Sequence, residues 1–242
     1  MLTERNYIML PSASSTNTLL KEKILSSGAA VYDVLCAGRQ TAGRGRLGRT
    51  FFSPRGGIYF SAAYPIGGNE KNIPFFTLLA GIAVSRAIFE LTNEETQIKW
   101  PNDIYLHNKK LCGVLTELVA QNGRTHIICG VGINAGVTKE EIPPELADKM
   151  TSFAAQGLAV PNKEALIKRC VENLDALVYE QKLLNETSPA VTAELDEKSF
   201  LRGKTVIYNG QKGTAGSINT DGSINIRFAK KTERIFTGEI LF

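Results

Sequence analysis

Three arginines, Arg44, Arg46 and Arg49, alternate with glycines in the run Gly43-Arg44-Gly45-Arg46-Leu47-Gly48-Arg49. Glycine lets a backbone approach a ligand closely, and guanidinium groups pair bidentately with phosphate or carboxylate. The run therefore reads as an anion clamp that orders when ligand arrives; on composition alone it reads equally as a solvated basic loop. Its letters also fit the dinucleotide fingerprint G-x-G-x-x-G, which requires a helix directly after the glycines to meet the pyrophosphate. Here Arg49-Thr50-Phe51-Phe52-Ser53-Pro54 follows, then Gly56-Gly57, a poor start for any helix. A Walker loop would end in Gly-Lys-Ser/Thr, and this run does not. A nucleic-acid contact usually wants aromatic interleaving or a helix-turn-helix, and neither is evident.

Further groups able to do chemistry stand in Ser15-Thr16-Asn17, Lys99-Trp100-Pro101-Asn102-Asp103, Lys110-Leu111-Cys112-Gly113 and Gly130-Val131-Gly132-Ile133-Asn134. Each has a plainer explanation. Ser15, Thr16 and Asn17 suit a helix cap. Trp100 reads first as a core aromatic, and glycines 113, 130 and 132 as bulges or close strand packing. Lys110 follows Lys109, and such pairs are usually surface; only its register with Leu111-Cys112-Gly113 singles it out. His107 and His126 lack metal spacing or a nucleophile partner, and carry no assigned chemistry. Cys36, Cys112, Cys129 and Cys170 are widely spaced beside apolar residues and read as reduced core thiols.

The elements that must position these groups follow from spacing and turn chemistry. Leu19, Leu20, Ile24 and Leu25 predict the buried face of a helix over residues 12–27. Strands are expected at Val31 to Ala37 and Ile58 to Tyr64, with the glycine–arginine loop from Gly38 to Gly57 between them. A helix is expected from Pro74 to Leu91, and Pro101-Asn102-Asp103 falls at a turn between Ile98–Trp100 and Ile104–Leu106. Leu111–Val119 and Thr125–Asn134 read as paired strands joined at Asn122-Gly123, a strong hairpin signal. Asn162 caps a helix running to about Leu184. Hydrophobic spacing then weakens from Glu186 to Asp196, which predicts a linker. Short strands at 204–208, 213–218, 223–228 and 233–236, with turns at Asn209-Gly210 and Asp221-Gly222, predict a small β-barrel. The fold class is α+β, divided into a catalytic region over 1–185, a linker over 186–198 and a barrel over 199–242.

Composition limits the function classes. The chain has 242 residues, 43% hydrophobic and 21% charged, with a formal charge of +4. A charge this mild fits an anionic ligand without deciding for nucleic acid. The longest apolar stretch, Phe75 to Val84, is half what a membrane span needs, and Met1-Leu2-Thr3-Glu4-Arg5 carries no signal pattern. A cytoplasmic protein without a membrane partner is expected.

Taken in order, the run from Gln40 through Gly43–Arg49 to Phe52-Ser53-Pro54, with Ser15-Thr16-Asn17 before it and the lysine and glycine motifs after it, resembles the biotin–protein ligases. Five motifs in order over residues 10–180 make the resemblance specific, while the barrel-like tail resembles that family's SH3-like domain more loosely. The resemblance implies a class II synthetase-like catalytic fold, a mixed sheet flanked by helices. It implies a reaction in two steps: biotin and ATP, with Mg²⁺, form biotinyl-5′-adenylate, and a lysine of a biotin carboxyl carrier domain of a biotin-dependent carboxylase then takes the biotin.

By the same resemblance, Lys110 and Arg44 carry the electrostatic role between carboxylate and α-phosphate. Ser15, Thr16, Asn17, Gln40, Gly43, Arg44, Gly45, Arg46, Lys110, Gly113, Gly130 and Gly132 would bind biotin. Arg46, Arg49, Phe51, Lys99, Trp100, Asn102, Asp103 and Asn134 would face ATP, with Asp103 as the metal ligand. Phe51 stands where well-known members have tryptophan, which leaves a smaller stacking surface. Some relatives carry an N-terminal helix-turn-helix and others dimerise through sheet edges. Only about ten residues precede Ser12, so no direct DNA binding is expected, and a homodimer is implied by resemblance alone. Lipoate–protein ligases and octanoyltransferases share the fold and are the nearest rival; a non-enzymatic nucleic-acid module is the rival from another class.

Overall fold

A computed structural model describes residues 5–27, 33–66, 73–180 and 188–242. The start of the strand expected at Val31, the helix end expected near Leu184 and the first residues of the expected linker lie outside these. Seven strands form one mixed sheet: β1 (Asn6–Leu10), β2 (Asp33–Ala37), β3 (Ile58–Ile66), β4 (Gln97–Lys99), β5 (Asp103–Leu106), β6 (Lys109–Gln121) and β7 (Arg124–Ile133). Their order is β1-β2-β3-β7-β6-β5-β4. Only β1 and β2 run parallel; every other neighbouring pair is antiparallel.

Strand alternation sorts the two faces of this sheet, because successive side chains point to opposite sides. Val34, Cys36, Phe60, Ala62, Tyr64, Cys129 and Val131 join the core under α2 (Ile73–Thr92) and α3 (Lys163–Glu180). Leu35, Ala63, Val119 and Ile128 point the other way and meet Leu20 and Ile24 of α1 (Thr16–Ser27). The intervening positions on that second face are Ser61, Gly113, Leu115, Glu117, Gly130 and Gly132. The three glycines among them let Asn17 and Phe51 pack directly against the sheet backbone beside α1.

The β6–β7 hairpin turns at Asn122-Gly123, both left-handed, with Gln121 opposite Arg124. This two-residue turn matches the strand twist, as its sequence predicts. Asn209-Gly210 does the same between Tyr208 and Gln211. Of the four expected α1 contacts, Leu20 and Ile24 are buried, Leu19 is half-buried and Leu25 is exposed. The helix begins at Thr16 rather than residue 12, because the chain before it is held extended: Ala13 N donates to Arg39 O, Thr41 N to Ala13 O and Ala42 N to Ser14 O. β1 is an element that short-range pattern missed, an edge strand of five residues.

The stretch expected as a linker holds a packed helix, α4 (Pro189–Glu197). Ser188 accepts the Ala190 N–H and Pro189 starts the first turn, while Val191 and Leu195 supply a buried stripe only two residues wide. That stripe is too narrow to register as periodicity. The chain then pairs with β4, Ile98 N donating to Lys198 O at 2.7 Å and Phe200 N to Ile98 O at 2.9 Å. The second sheet follows, β8 (Thr205–Tyr208), β9 (Gln211–Ile218), β10 (Ile224–Arg227) and β11 (Thr232–Ile235), antiparallel in the order β11-β10-β9-β8. Leu241 returns to pair with Ile207 of β8. This is the small β unit expected from the dense turns.

The two sheets share one core. Val206, Ile218, Ile224 and Ile226 cluster with Trp100 and Ile104, and Phe200 packs on Tyr105 and Phe242 with ring centroids 4.5 and 5.0 Å apart. Trp100 is fully buried, and its indole N–H donates to Gly222 O at 2.8 Å. Trp100→Phe keeps an aromatic ring but orphans that carbonyl, which costs about 1–3 kcal/mol. The expected result is a lower thermal midpoint, measured by calorimetry.

One helix, over Phe75–Thr92, is long and apolar enough to cross a membrane by length and composition; 72% of that window is buried inside the protein. All four cysteines are buried and free. Burial raises each thiol, Cys36 and Cys129 to about 12.

Candidate active site

The glycine-bearing face of the sheet, the glycine–arginine loop and the tail line an open cleft of about 170 Å³. Of the residues expected at a site, the cleft wall gathers Ser15, Thr16, Asn17, Gln40, Arg44, Gly45, Arg46, Arg49, Phe51, Lys99, Trp100, Asn102, Asp103, Lys110, Gly113, Gly130 and Gly132. Two are not brought to it. Gly43 is buried beneath the loop, where a Cβ would stand 2.5 Å from Phe51 O. Asn134 is 2% exposed and its Nδ2 lies 3.4 Å from Lys110 O.

The loop is a small hairpin, and this explains why no dinucleotide site forms. Phe51 N donates to Gly43 O at 2.9 Å and Gly45 N to Arg49 O at 2.7 Å. Only a single 3₁₀ turn, Arg46–Gly48, sits between them, with Leu47 left-handed and exposed at the tip. The following chain leaves as extended backbone rather than as a helix. Phe51 returns over the floor, where a Cβ on Gly132 would come within 2.6 Å of its ring and one on Gly113 within 3.0 Å.

Polar groups from five segments join at the inner end of the cleft. Gln40 Oε1 accepts the Thr16 N–H at 2.9 Å, so a distant side chain caps α1. Gln40 Nε2 donates to Ser53 Oγ at 3.1 Å. Ser61 Oγ lies 2.7 Å from Thr16 Oγ1 and 2.6 Å from Asn17 Oδ1, and its one proton serves one of them at a time. Asn17 Nδ2 donates to Leu115 O at 3.2 Å and to Glu117 Oε2 at 2.9 Å. Both ends of the Asn17 amide are thus occupied by protein. It sits directly on Gly130, where a Cβ would come within 2.1 Å of Oδ1.

Cations dominate the outer half. Lys110 Nζ is 2.6 Å from Asp103 Oδ1, a close ion pair, and that oxygen has no other polar partner. Arg46 reaches Asn102 Oδ1 at 3.4 Å, and burial lowers its pKa. Lys99 Nζ lies 4.6 Å from the centre of the Phe242 ring; burial lowers its pKa too, with Lys110 adding repulsion. Arg49 makes a bidentate pair with Glu239 at 2.9 and 2.5 Å, which holds the Glu239 carboxyl below its usual value. Desolvated cations facing open space favour an anionic ligand.

The fit to a resident metal is poor. Among the described residues no three His, Cys, Asp or Glu side chains converge. Asp103, the expected ligand, is already engaged by Lys110.

Sequence reasoning missed Glu117, Ser61 and Ser53, which tie the floor together, and the tail residues Gly238, Glu239 and Ile240, which line the mouth. Glu117 was findable, since Gly113, Leu115 and Glu117 alternate along one strand. No local signal marks the tail residues, because they reach the cleft only through docking of the second sheet.

Comparison with known proteins places this geometry. Residues 9–134 match the model of the biotin/lipoate A/B protein ligase family. The biotin–[acetyl-CoA-carboxylase] ligase of Mycobacterium tuberculosis is 29% identical over 251 residues, covering 98% of this chain and 89% of that protein. The bifunctional ligase/repressor BirA of Bacillus subtilis is 38% identical over 143 residues, 58% of this chain. The match spans less than half the length of that relative, 44%. The solved biotin protein ligase from Aquifex aeolicus, in complex with biotin and ATP, superposes with a TM-score of 0.79 at 29% identity, covering 98% of each chain. With more than half its length under the family model and its glycine–arginine hairpin closing a cleft on the sheet, this chain belongs to the biotin/lipoate A/B protein ligase family.

Proposed function

We propose that this chain is a biotin–protein ligase, joining biotin to ATP as biotinyl-5′-adenylate and passing the biotin to one lysine of a carboxylase's carrier domain. The observation that supports it most is the convergence of Arg44, Arg46, Lys99 and Lys110 on a cleft whose floor is glycine. The family's own description spans biotin and lipoate; the likeness to named biotin ligases over nearly the whole chain favours biotin.

In the first step a biotin carboxylate oxygen attacks the α-phosphorus of ATP, a P–O bond forms, and pyrophosphate leaves. The two reactants are anions and repel, so cations must stand between them. Lys110 takes that position, with Arg44 and Arg46 holding carboxylate and phosphate. The loop that carries them excludes water that would hydrolyse the anhydride. In the second step the carrier's lysine amine attacks the acyl carbon, the C–O bond to AMP breaks, and the amine loses a proton. Biotin's apolar bicycle needs apolar walls and few polar contacts, which Leu115 over the glycine floor and the Ser15–Thr16–Gln40 corner supply. Magnesium enters with the nucleotide as part of the substrate. The repressor half of the Bacillus relative's name belongs to a protein less than half matched here, and is not carried over.

Acid-dependent release of pyrophosphate from ATP with biotin, lipoate or octanoate tests this directly. Biotin is expected to support release and the others not. Release with lipoate or octanoate alone would assign the chain to the other branch of the family. Arg44→Ala is expected to release the adenylate about ten times faster, since it removes a charge-assisted contact; single-turnover hydrolysis in the absence of acceptor reads this.

A further inference from the structure

The Glu117 carboxylate binds two parts of the cleft at once. Its Oε2 accepts Asn17 Nδ2 at 2.9 Å and Arg44 Nη1 at 3.3 Å, while Oε1 lies 3.0 Å from Arg44 Nη2. Asn17 belongs to the floor, wedged on Gly130. Arg44 belongs to the loop. The carboxylate is largely sheltered, its side chain 19% exposed, whereas that of Arg44 is 48% exposed. Glu117 itself is not part of the cleft lining.

We propose that Glu117 is a positioning residue that couples the acid-binding floor to the arginine loop. It touches neither substrate. A free arginine side chain loses about 2 kcal/mol of rotamer freedom when a ligand fixes it. Glu117 removes part of that freedom beforehand, because one hydrogen bond at 3.3 Å and a second ion-pair contact at 3.0 Å hold the guanidinium against the carboxylate. The same oxygen is anchored through Asn17 to Ser61 and Leu115, so the orientation of Arg44 follows from the packing of the floor. Filling the floor and closing the loop become one event rather than two, which is preorganisation in the sense that lowers the cost of binding. The functional part of this rests on the ligase reading above.

Glu117→Gln separates this from a merely structural role. With its amide oxygen in the place of Oε2 it keeps the Asn17 bond and the long Arg44 Nη1 contact, while its NH₂ group replaces Oε1 against Arg44 Nη2, cannot accept from it and carries no charge to hold the guanidinium. The first readout needs no substrate. Hydrogen exchange at residues 43–51 of the ligand-free variant is expected to quicken with the thermal midpoint unchanged, and unaltered exchange would overturn the proposal whatever the enzyme's substrate. The second readout is steady-state adenylation in wild type, Glu117→Gln, Arg44→Ala and the double variant. The KM for the acid is expected to rise roughly tenfold in Glu117→Gln with kcat within twofold, and this penalty is expected to vanish in the Arg44→Ala background. Additive penalties, a fall confined to kcat, or tighter binding in Glu117→Gln would each contradict it. Inactive wild type with every acid would sink the ligase reading instead, and leave the exchange result to decide this one.

Discussion

Lys110→Ala is expected to slow adenylate formation by about 10²–10³-fold, the usual loss when one preorganised charge is removed from a developing anion. Lys110 qualifies by position rather than by being cationic. Lys109 beside it points away and donates to Ala147 O, whereas Lys110 stands on the cleft wall against Asp103 with Gly113 beneath it. Lys109→Ala therefore serves as the control and should leave the rate nearly unchanged. Biotin affinity should fall less than the rate, because the lysine acts most strongly as charge builds between carboxylate and phosphorus. Rapid quench of a single turnover measures it. A Lys110→Ala enzyme that forms adenylate at the wild-type rate removes this residue from the mechanism.

The second large effect is expected from one methyl group. In Gly130→Ala the new Cβ would stand 2.1 Å from Asn17 Oδ1 and 2.8 Å from its carboxamide carbon. Asn17 cannot swing aside cheaply, since it is buried and held by Ser61, Leu115 and Glu117. Overpacking of this kind costs about 1–3 kcal/mol. Displacing Asn17 also disturbs both neighbours of the acid site, Thr16 through Ser61 and Arg44 through Glu117. Acid affinity should fall by roughly 10–100-fold, in proportion to that energy, with a lower thermal midpoint. Titration calorimetry with biotin and a thermal scan of the same preparation read both. Wild-type affinity with an unchanged midpoint would mean that the floor relaxes freely.

How far these residues were legible in sequence depends on the range of the forces that place them. Asn122-Gly123 and Asn209-Gly210 were plain because left-handed backbone is a local demand that few residues meet. The glycine–arginine run was legible as a loop, and its failure as a dinucleotide site followed from the missing helix. Glycines 113, 130 and 132 pointed to a floor only through the resemblance, because close packing and ligand space look alike in one chain. The Asn17 side chain was expected at biotin; it lines the cleft, yet its amide is spent on Ser61, Leu115 and Glu117, contacts up to a hundred residues away in sequence. Asn134 was drawn to the nucleotide by its motif, but strand alternation and the loop after β7 leave it buried. α4 went unread because two buried residues do not make a period.

In the proposed reaction, cationic side chains of the hairpin and of β6 draw two anions together on the glycine floor. A crystal structure of the protein with biotin and a non-hydrolysable ATP analogue tests that most directly. The biotin carboxylate is expected within hydrogen-bond reach of Lys110, with the hairpin arginines folded over carboxylate and α-phosphate. Ligands bound elsewhere, or bound here with residues 43–49 turned away from both, would contradict it.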